Sequence, residues 1–128
     1  PDYAEEHDLY KPVHQKHQCT LWAMETRANY WFAMDLYGLM LLEYTKRYGK
    51  VHGASKHKEA IYRGTWMIPD HTDGKMTAHP QCFSGHDDLK TDEFYPIEAY
   101  RKFYIVDKSR FARYKYTDKP TWMKGEVA

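Results

Sequence analysis

Apolar and aromatic residues recur at helical spacing most clearly between Thr20 and Tyr48, where Trp22, Tyr30, Ala33, Tyr37, Leu41, Tyr44 and Tyr48 follow one pattern. The pattern predicts a single long helix. Thr20 is placed as its N-cap, Lys46 and Arg47 suit the negative end of the helix dipole, and Gly49 suits the left-handed stop. Gly38 permits a bend or the close approach of a neighbour. Residues 1–18 read as an extended lead-in, because Pro12 breaks any early helix. A shorter helix is expected over 54–62, with Ser55 near its start and Gly64 ending it. Residues 65–85 hold Pro69, Gly74, Pro80, Gly85 and the polar run Asp70-His71-Thr72-Asp73, which predicts a long loop. A last helix is expected over 96–112, with Pro96 as first helical residue and Ile97, Tyr100, Tyr104 and Phe111 as its buried stripe.

The expected fold is therefore mainly α: a compact single helical domain with one long central helix and a long irregular loop. A length of 128 residues fits one core. The sequence starts at Pro1 without a methionine, so either processing or a longer parent chain is expected. Charged residues at 29% and apolar residues at 42% place the chain among globular rather than disordered proteins. Aromatic content changes the picture more. At 16%, with 12 Tyr and 4 Trp, it suits helix cores, interfaces and base-stacking surfaces alike. A net charge of +1 excludes the overall field of a strongly basic nucleic-acid binder, so any grip on a polyanion must come from local clusters. Two cysteines are too few for a disulfide framework, and no apolar run has the length of a membrane span. No membrane partner is expected, and a reducing cytoplasm is the simplest compartment.

Three constellations carry candidate chemistry. His14, His17, Cys19 and the distant Cys82 are the ligand types of a zinc site, although no Cys-x-x-Cys pair accompanies them. The plainer reading needs no cofactor: the histidines bond backbone near a helix end, and Cys19 packs as a small apolar residue. Glu25, Asp35 and Glu43 lie on the long helix. Glu25 with His14 or His17 would be the least equipment for general acid–base work, whereas alone it merely favours the positive helix end. The third constellation is basic and aromatic. Lys46, Arg47, Lys50, Lys56 and Lys58 form one group; Arg110, Arg113, Lys115, Lys119 and Lys124 form another, interleaved with Phe111, Tyr114, Tyr116 and Trp122. Cations neutralise phosphates while rings stack on unpaired bases, and the alternative is a solvated face with tyrosines covering a core edge. No phosphate-cradling glycine loop, Walker lysine, nucleophile elbow or paired glycosidase carboxylates occur, which excludes the common nucleotide and α/β hydrolases.

Leu9-Tyr10-Lys11-Pro12, His14-x-x-His17-x-Cys19-Thr20-Leu21-Trp22-Ala23, Asn29-Tyr30 and Glu43-Tyr44-x-x-Arg47-Tyr48-Gly49-Lys50 resemble a group of small phage proteins. Ile68-Pro69, Gln81-Cys82, Ala99-Tyr100-x-Lys102 and Lys119-Pro120-Thr121-Trp122 fit the same group in the same order, so the resemblance spans most of the chain. More distantly, Thr20-Leu21-Trp22, Lys46-Arg47 and Pro120-Thr121-Trp122 are similar to the pyrimidine-dimer DNA glycosylases of the phage endonuclease V type. That resemblance implies N-glycosyl cleavage through a Schiff base on an N-terminal amine, assisted by a glutamate of the first helix. An additional N-terminal segment, which relatives carry, has no counterpart here. The nucleophile and its glutamate therefore have no matching positions, and no catalytic residue is carried over. The secondary amine of Pro1 would support an iminium.

The resemblance and the basic–aromatic tail together imply a phage DNA-binding protein related to base-excision repair, acting in the host cytoplasm. Arg27, Lys46, Arg47, Lys50, Arg113 and Lys115 are expected on phosphates, with Tyr116 and Trp122 stacking on bases. The rival expectation is a non-enzymatic module that binds a protein partner or belongs to the virion, where Tyr, Trp and Arg would anchor the interface.

Overall fold

The computed structural model describes residues 2–70 and 74–123; Pro1, His71, Thr72, Asp73 and Lys124 lie outside the described residues. The fold is mainly α-helical and, among the described residues, holds no strand. Among the described residues five α-helices follow one another: α1 (Tyr3–Glu6), α2 (Gln18–Glu25), α3 (Arg27–Tyr48), α4 (Lys58–Arg63) and α5 (Ile97–Phe103). Residues 2–18 are not wholly extended, because Asp2 accepts from the Glu5 N–H and caps α1. Asp8 and His14 then take positive φ, 54° and 52°, where the chain turns before α2.

The long helix expected over 20–48 is two helices, and Thr26 makes the break. Its backbone is extended (φ −139°, ψ 158°), and its side chain accepts from the Asn29 N–H at 3.0 Å, so it caps a new helix instead of continuing the old one. The α2 cap is His17 rather than Thr20: the His17 ring nitrogen Nδ1 accepts from the Cys19 N–H at 3.1 Å. The far end matches expectation, with Gly49 at φ 68° and its N–H bonded to the Thr45 carbonyl at 2.8 Å.

Asn29 holds the elbow between α2 and α3. It is fully buried, and its amide donates to the Trp22 carbonyl and to Thr77 Oγ1, both at 2.8 Å. Its carbonyl accepts from the Thr77 N–H at 3.0 Å, and the Trp22 indole N–H donates to the Thr77 carbonyl at 3.1 Å. The Asn29 amide, the Trp22 carbonyl and indole and the Thr77 backbone groups thereby have partners in this joint. The predicted loop is thus pinned at residue 77.

The segment over 54–62 also divides. A 3-10 turn at Gly53–His57, capped by His52 and not started at Ser55, leads into α4. Gly64 ends α4 without a left-handed residue, and the chain continues as 3-10 through Met67. Tyrosines tie these turns to the rest. The hydroxyls of Tyr3, Tyr30 and Tyr37 donate to the carbonyls of Ala60, Ile61 and Ala54. Burial raises the hydroxyl pKa of Tyr30 and Tyr37, which keeps both as donors.

Pro96 precedes α5 as its cap, and the stripe expected on this helix is out of register. Ile97, Tyr104 and Phe111 are exposed, Tyr100 is half-buried, and Ala99 and Phe103 face the core with Phe83, Leu89 and Tyr100. Position 99 must be small to lie against the Phe83 segment, and Phe103 follows one turn later on the same face. From Tyr104 to Lys108 the helix widens into a π turn, which rotates later positions off the expected face and ends it before Ala112.

Candidate functional site

Two features gather chemistry. The first is a cleft of about 720 Å³ between α2, α3 and α5. Trp22, Phe32, His79, Tyr95, Tyr100 and Tyr104 supply rings to its wall, and the tail adds Tyr114 and Trp122. Trp22 and Phe32 meet edge to face at 5.8 Å, and the His79 ring lies 4.4 Å from Trp22 and 4.6 Å from Phe32. Burial among these rings lowers the His79 pKa, so its imidazole is held neutral. Its backbone N–H donates to the Phe94 carbonyl, while its Nε2 is buried without a hydrogen-bond partner. His79 carried no signal in the sequence: a lone histidine in a loop marks nothing until rings surround it.

One guanidinium belongs to the cleft wall. Arg101 sits with its Cζ 5.5 Å from the Trp122 ring, paired to Glu98 at 3.2 Å. Trp122 is half-buried and meets Tyr104 edge to face at 6.2 Å. Beyond Tyr114, the tail crosses the C-terminal end of α3. Arg47 lies 4.7 Å from the Tyr114 ring and 3.0 Å from Glu43, which raises its pKa through the Glu43 bond. Tyr116 meets Tyr48 at 6.4 Å and carries the Lys115 ammonium 5.2 Å from its own ring. Lys46, Tyr114, Lys115 and Tyr116 line a cavity of about 450 Å³ there.

The structure therefore unites Lys46, Arg47, Lys115, Tyr116 and, one ring further on, Trp122. It leaves Arg27 apart. Twenty residues of helix separate Arg27 from Arg47, about 30 Å at 1.5 Å per residue. Arg27 donates to the Ile68 carbonyl at 2.8 Å, faces Asp70 at 3.8 Å and stacks 5.1 Å from the Trp66 ring, a set of contacts that anchors a loop. Lys50 and Arg113 are exposed on segments flanking the tail crossing. Glu25 is the last residue of α2 and accepts from Thr77 Oγ1 at 3.3 Å, whereas His17 caps the opposite end of that helix. They are about 12 Å of helix apart, so Glu25 and His17 are not brought together.

The second feature is a thiol pair. Cys19 and Cys82 are free, and their sulfurs are 3.5 Å apart although 63 residues separate them. One ligand atom from each of His17, Cys19 and Cys82 lies within 4.8 Å of the others; His14 is not in the group. Burial, then the hydrogen bond with Cys82, pushes the Cys19 thiol up to about 11. The Tyr100 hydroxyl donates to the Pro80 carbonyl at 2.5 Å and accepts from the Cys82 N–H at 3.3 Å, which fixes this segment against α5.

Among the described residues, no helix is long and apolar enough to cross a membrane. Comparison with protein-family models, curated proteins and solved structures gives no match.

Proposed function

We propose that this protein binds nucleic acid by taking an unstacked base into the ring-lined cleft while lysines and arginines of the adjoining tail hold phosphates. The observation that supports it is the cleft itself. Seven Trp, Tyr and Phe rings and the Arg101 guanidinium surround about 720 Å³, and Tyr114 belongs both to this wall and to the cavity lined by Lys46 and Lys115, with Arg47 over its ring. Rings accept any base by stacking, worth about 1–3 kcal/mol per base, and cations on the margin give affinity without reading sequence. Trp122, Tyr114 and Tyr104 are the stacking residues in this reading. Arg101, Lys46 and Lys115 are the phosphate contacts, joined by Lys50 and Arg113.

DNA and a repair setting, as the phage-glycosylase resemblance implies, make an extrahelical damaged base the occupant. No residue receives a catalytic role. Tryptophan emission quenched by a single-stranded or ultraviolet-irradiated oligonucleotide, and quenched about tenfold more weakly after Trp122→Ala, is the expected result. Undamaged single strands that leave the emission unchanged at micromolar concentration would overturn base binding. A borohydride-trapped adduct on irradiated duplex is the separate test of the repair chemistry.

A second reading rests on a different face. Trp31, Leu39 and Leu42 are exposed on α3 and line a separate open groove of about 810 Å³ with Met34 and Gly38. Exposed apolar side chains in one groove mark interaction surfaces, so this face supports a protein partner. Binding to such a partner would resist salt, whereas nucleic-acid binding falls with it.

A further inference from the structure

We propose that His17, Cys19 and Cys82 form a three-ligand site for a thiophilic metal ion, zinc(II) above all, which clasps the start of α2 to the wall of the cleft. The convergence of one imidazole and two thiols, whose sulfurs sit at hydrogen-bonding separation, carries the assignment. A disulfide would bring the sulfurs to about 2.05 Å. A tetrahedral zinc ion with bonds of about 2.3 Å holds two sulfurs about 3.8 Å apart. The observed 3.5 Å lies near the second value, with a His17 nitrogen inside the same 4.8 Å group. Two sulfurs and an imidazole are a soft donor set that selects zinc or copper(I) over magnesium or calcium.

The surroundings suit such an ion. The site opens on a surface cavity of about 450 Å³ that Lys16, Gln18, Asp87 and Lys90 share with His17 and Cys82. The Gln18 side-chain Oε1 is 3.9 Å from the Cys82 sulfur, and Lys90 is paired to Asp87 at 3.0 Å. A fourth position is thus left to water or an added ligand. On ligation each thiol releases its proton, so two protons leave per ion; two thiolates balance the 2+ charge, and nothing is oxidised or reduced. The His17 ring must give up its bond from the Cys19 N–H to ligate, so ion and helix cap compete for one side chain. The benefit falls on the cleft, because Cys19 and Pro80 both belong to its wall.

The test uses the whole chain, reduced and stripped of metal, titrated first with cobalt(II). One cobalt per chain is expected, with a thiolate-to-cobalt charge-transfer band and the intense visible bands of a tetrahedral ion, both erased by one equivalent of zinc. Cys19→Ser and Cys82→Ser should each weaken zinc binding at least 100-fold, and His17→Gln about tenfold, with helical circular dichroism kept. Should either serine variant fail to fold, zinc protection of both thiols from alkylation in the unaltered chain answers the same question. No cobalt spectrum and no zinc uptake at micromolar free ion by the fully reduced chain would overturn the proposal. So would Cys19→Ser binding zinc as tightly as the parent.

Discussion

Asn29 shows how much one side chain decides. Its amide joins the end of α2, the start of α3 and the Thr77 segment, and no water reaches it. Asn29→Ala removes the side-chain partner of the Trp22 carbonyl and of the half-buried Thr77 N–H. The expected loss is about 2–4 kcal/mol in urea unfolding, well above the roughly 1 kcal/mol of one ordinary hydrogen bond. An effect below about 1 kcal/mol would show that the elbow does not depend on this amide. His79 acts at the same scale through protonation. Its folded pKa is lowered by burial while the unfolded chain keeps an ordinary value, so the unfolded state binds more protons below about pH 6.5. Its contribution is intact above that pH and is lost as pH falls through the folded value. Melting temperature should therefore decline from pH 7 to pH 5, and His79→Phe should flatten that decline. An unchanged slope in the variant would assign the acid sensitivity to other groups.

Among the elements, the contact between α3 and the turns of residues 53–67 depends on tyrosine hydroxyls reaching backbone carbonyls. Gly64 belongs to this contact. A Cβ there would lie 3.2 Å from the Tyr30 hydroxyl, which is itself bonded to the Ile61 carbonyl. Gly64→Ala should cost about 1–2 kcal/mol, and Tyr30→Phe about 1 kcal/mol. Together they should cost less than the sum, because removing the hydroxyl makes room for the methyl. Strict additivity in the double variant would mean the two groups do not press on each other. Gly49→Ala tests the other end of α3. At φ 68° an alanine is strained, and a loss of about 1 kcal/mol is expected in the same unfolding assay.

For the whole molecule, charge placement matters more than its total. With a net charge of +1 there is little long-range attraction for a polyanion, so binding must come from the cations that the tail brings to α3. The five phosphate contacts named above predict a log–log salt slope of about −3.5 on a single strand. Lys46→Ala with Lys115→Ala should reduce that slope by about 1.4, whereas Arg27→Ala, whose guanidinium anchors a loop at the far end of α3, should lower stability and leave the slope alone. A slope unchanged by the paired lysine variant would move the phosphate contacts elsewhere.

Residues 20–48 were legible as helical, and Gly49 as their stop, because periodicity and a left-handed terminus are local properties of the chain. The mainly helical class followed from the same kind of signal. The break at Thr26 was not legible, since a threonine continues or caps a helix depending on what satisfies the freed backbone groups. Here Asn29 and Thr77 satisfy them, and Thr77 is 51 residues further along. The α5 stripe failed for a related reason: Ala99 is buried because Phe83 comes to it, and a single alanine carries no hydrophobic signal of its own. The sequence named Cys19, Cys82 and Trp122 as reactive or stacking types, but types only. Which of them meet a partner was decided by tertiary packing, because burial, desolvation and ligand spacing are properties of neighbours in space: Cys82 comes to Cys19 across 63 residues, and Trp122 meets Tyr104 and Arg101 of another segment.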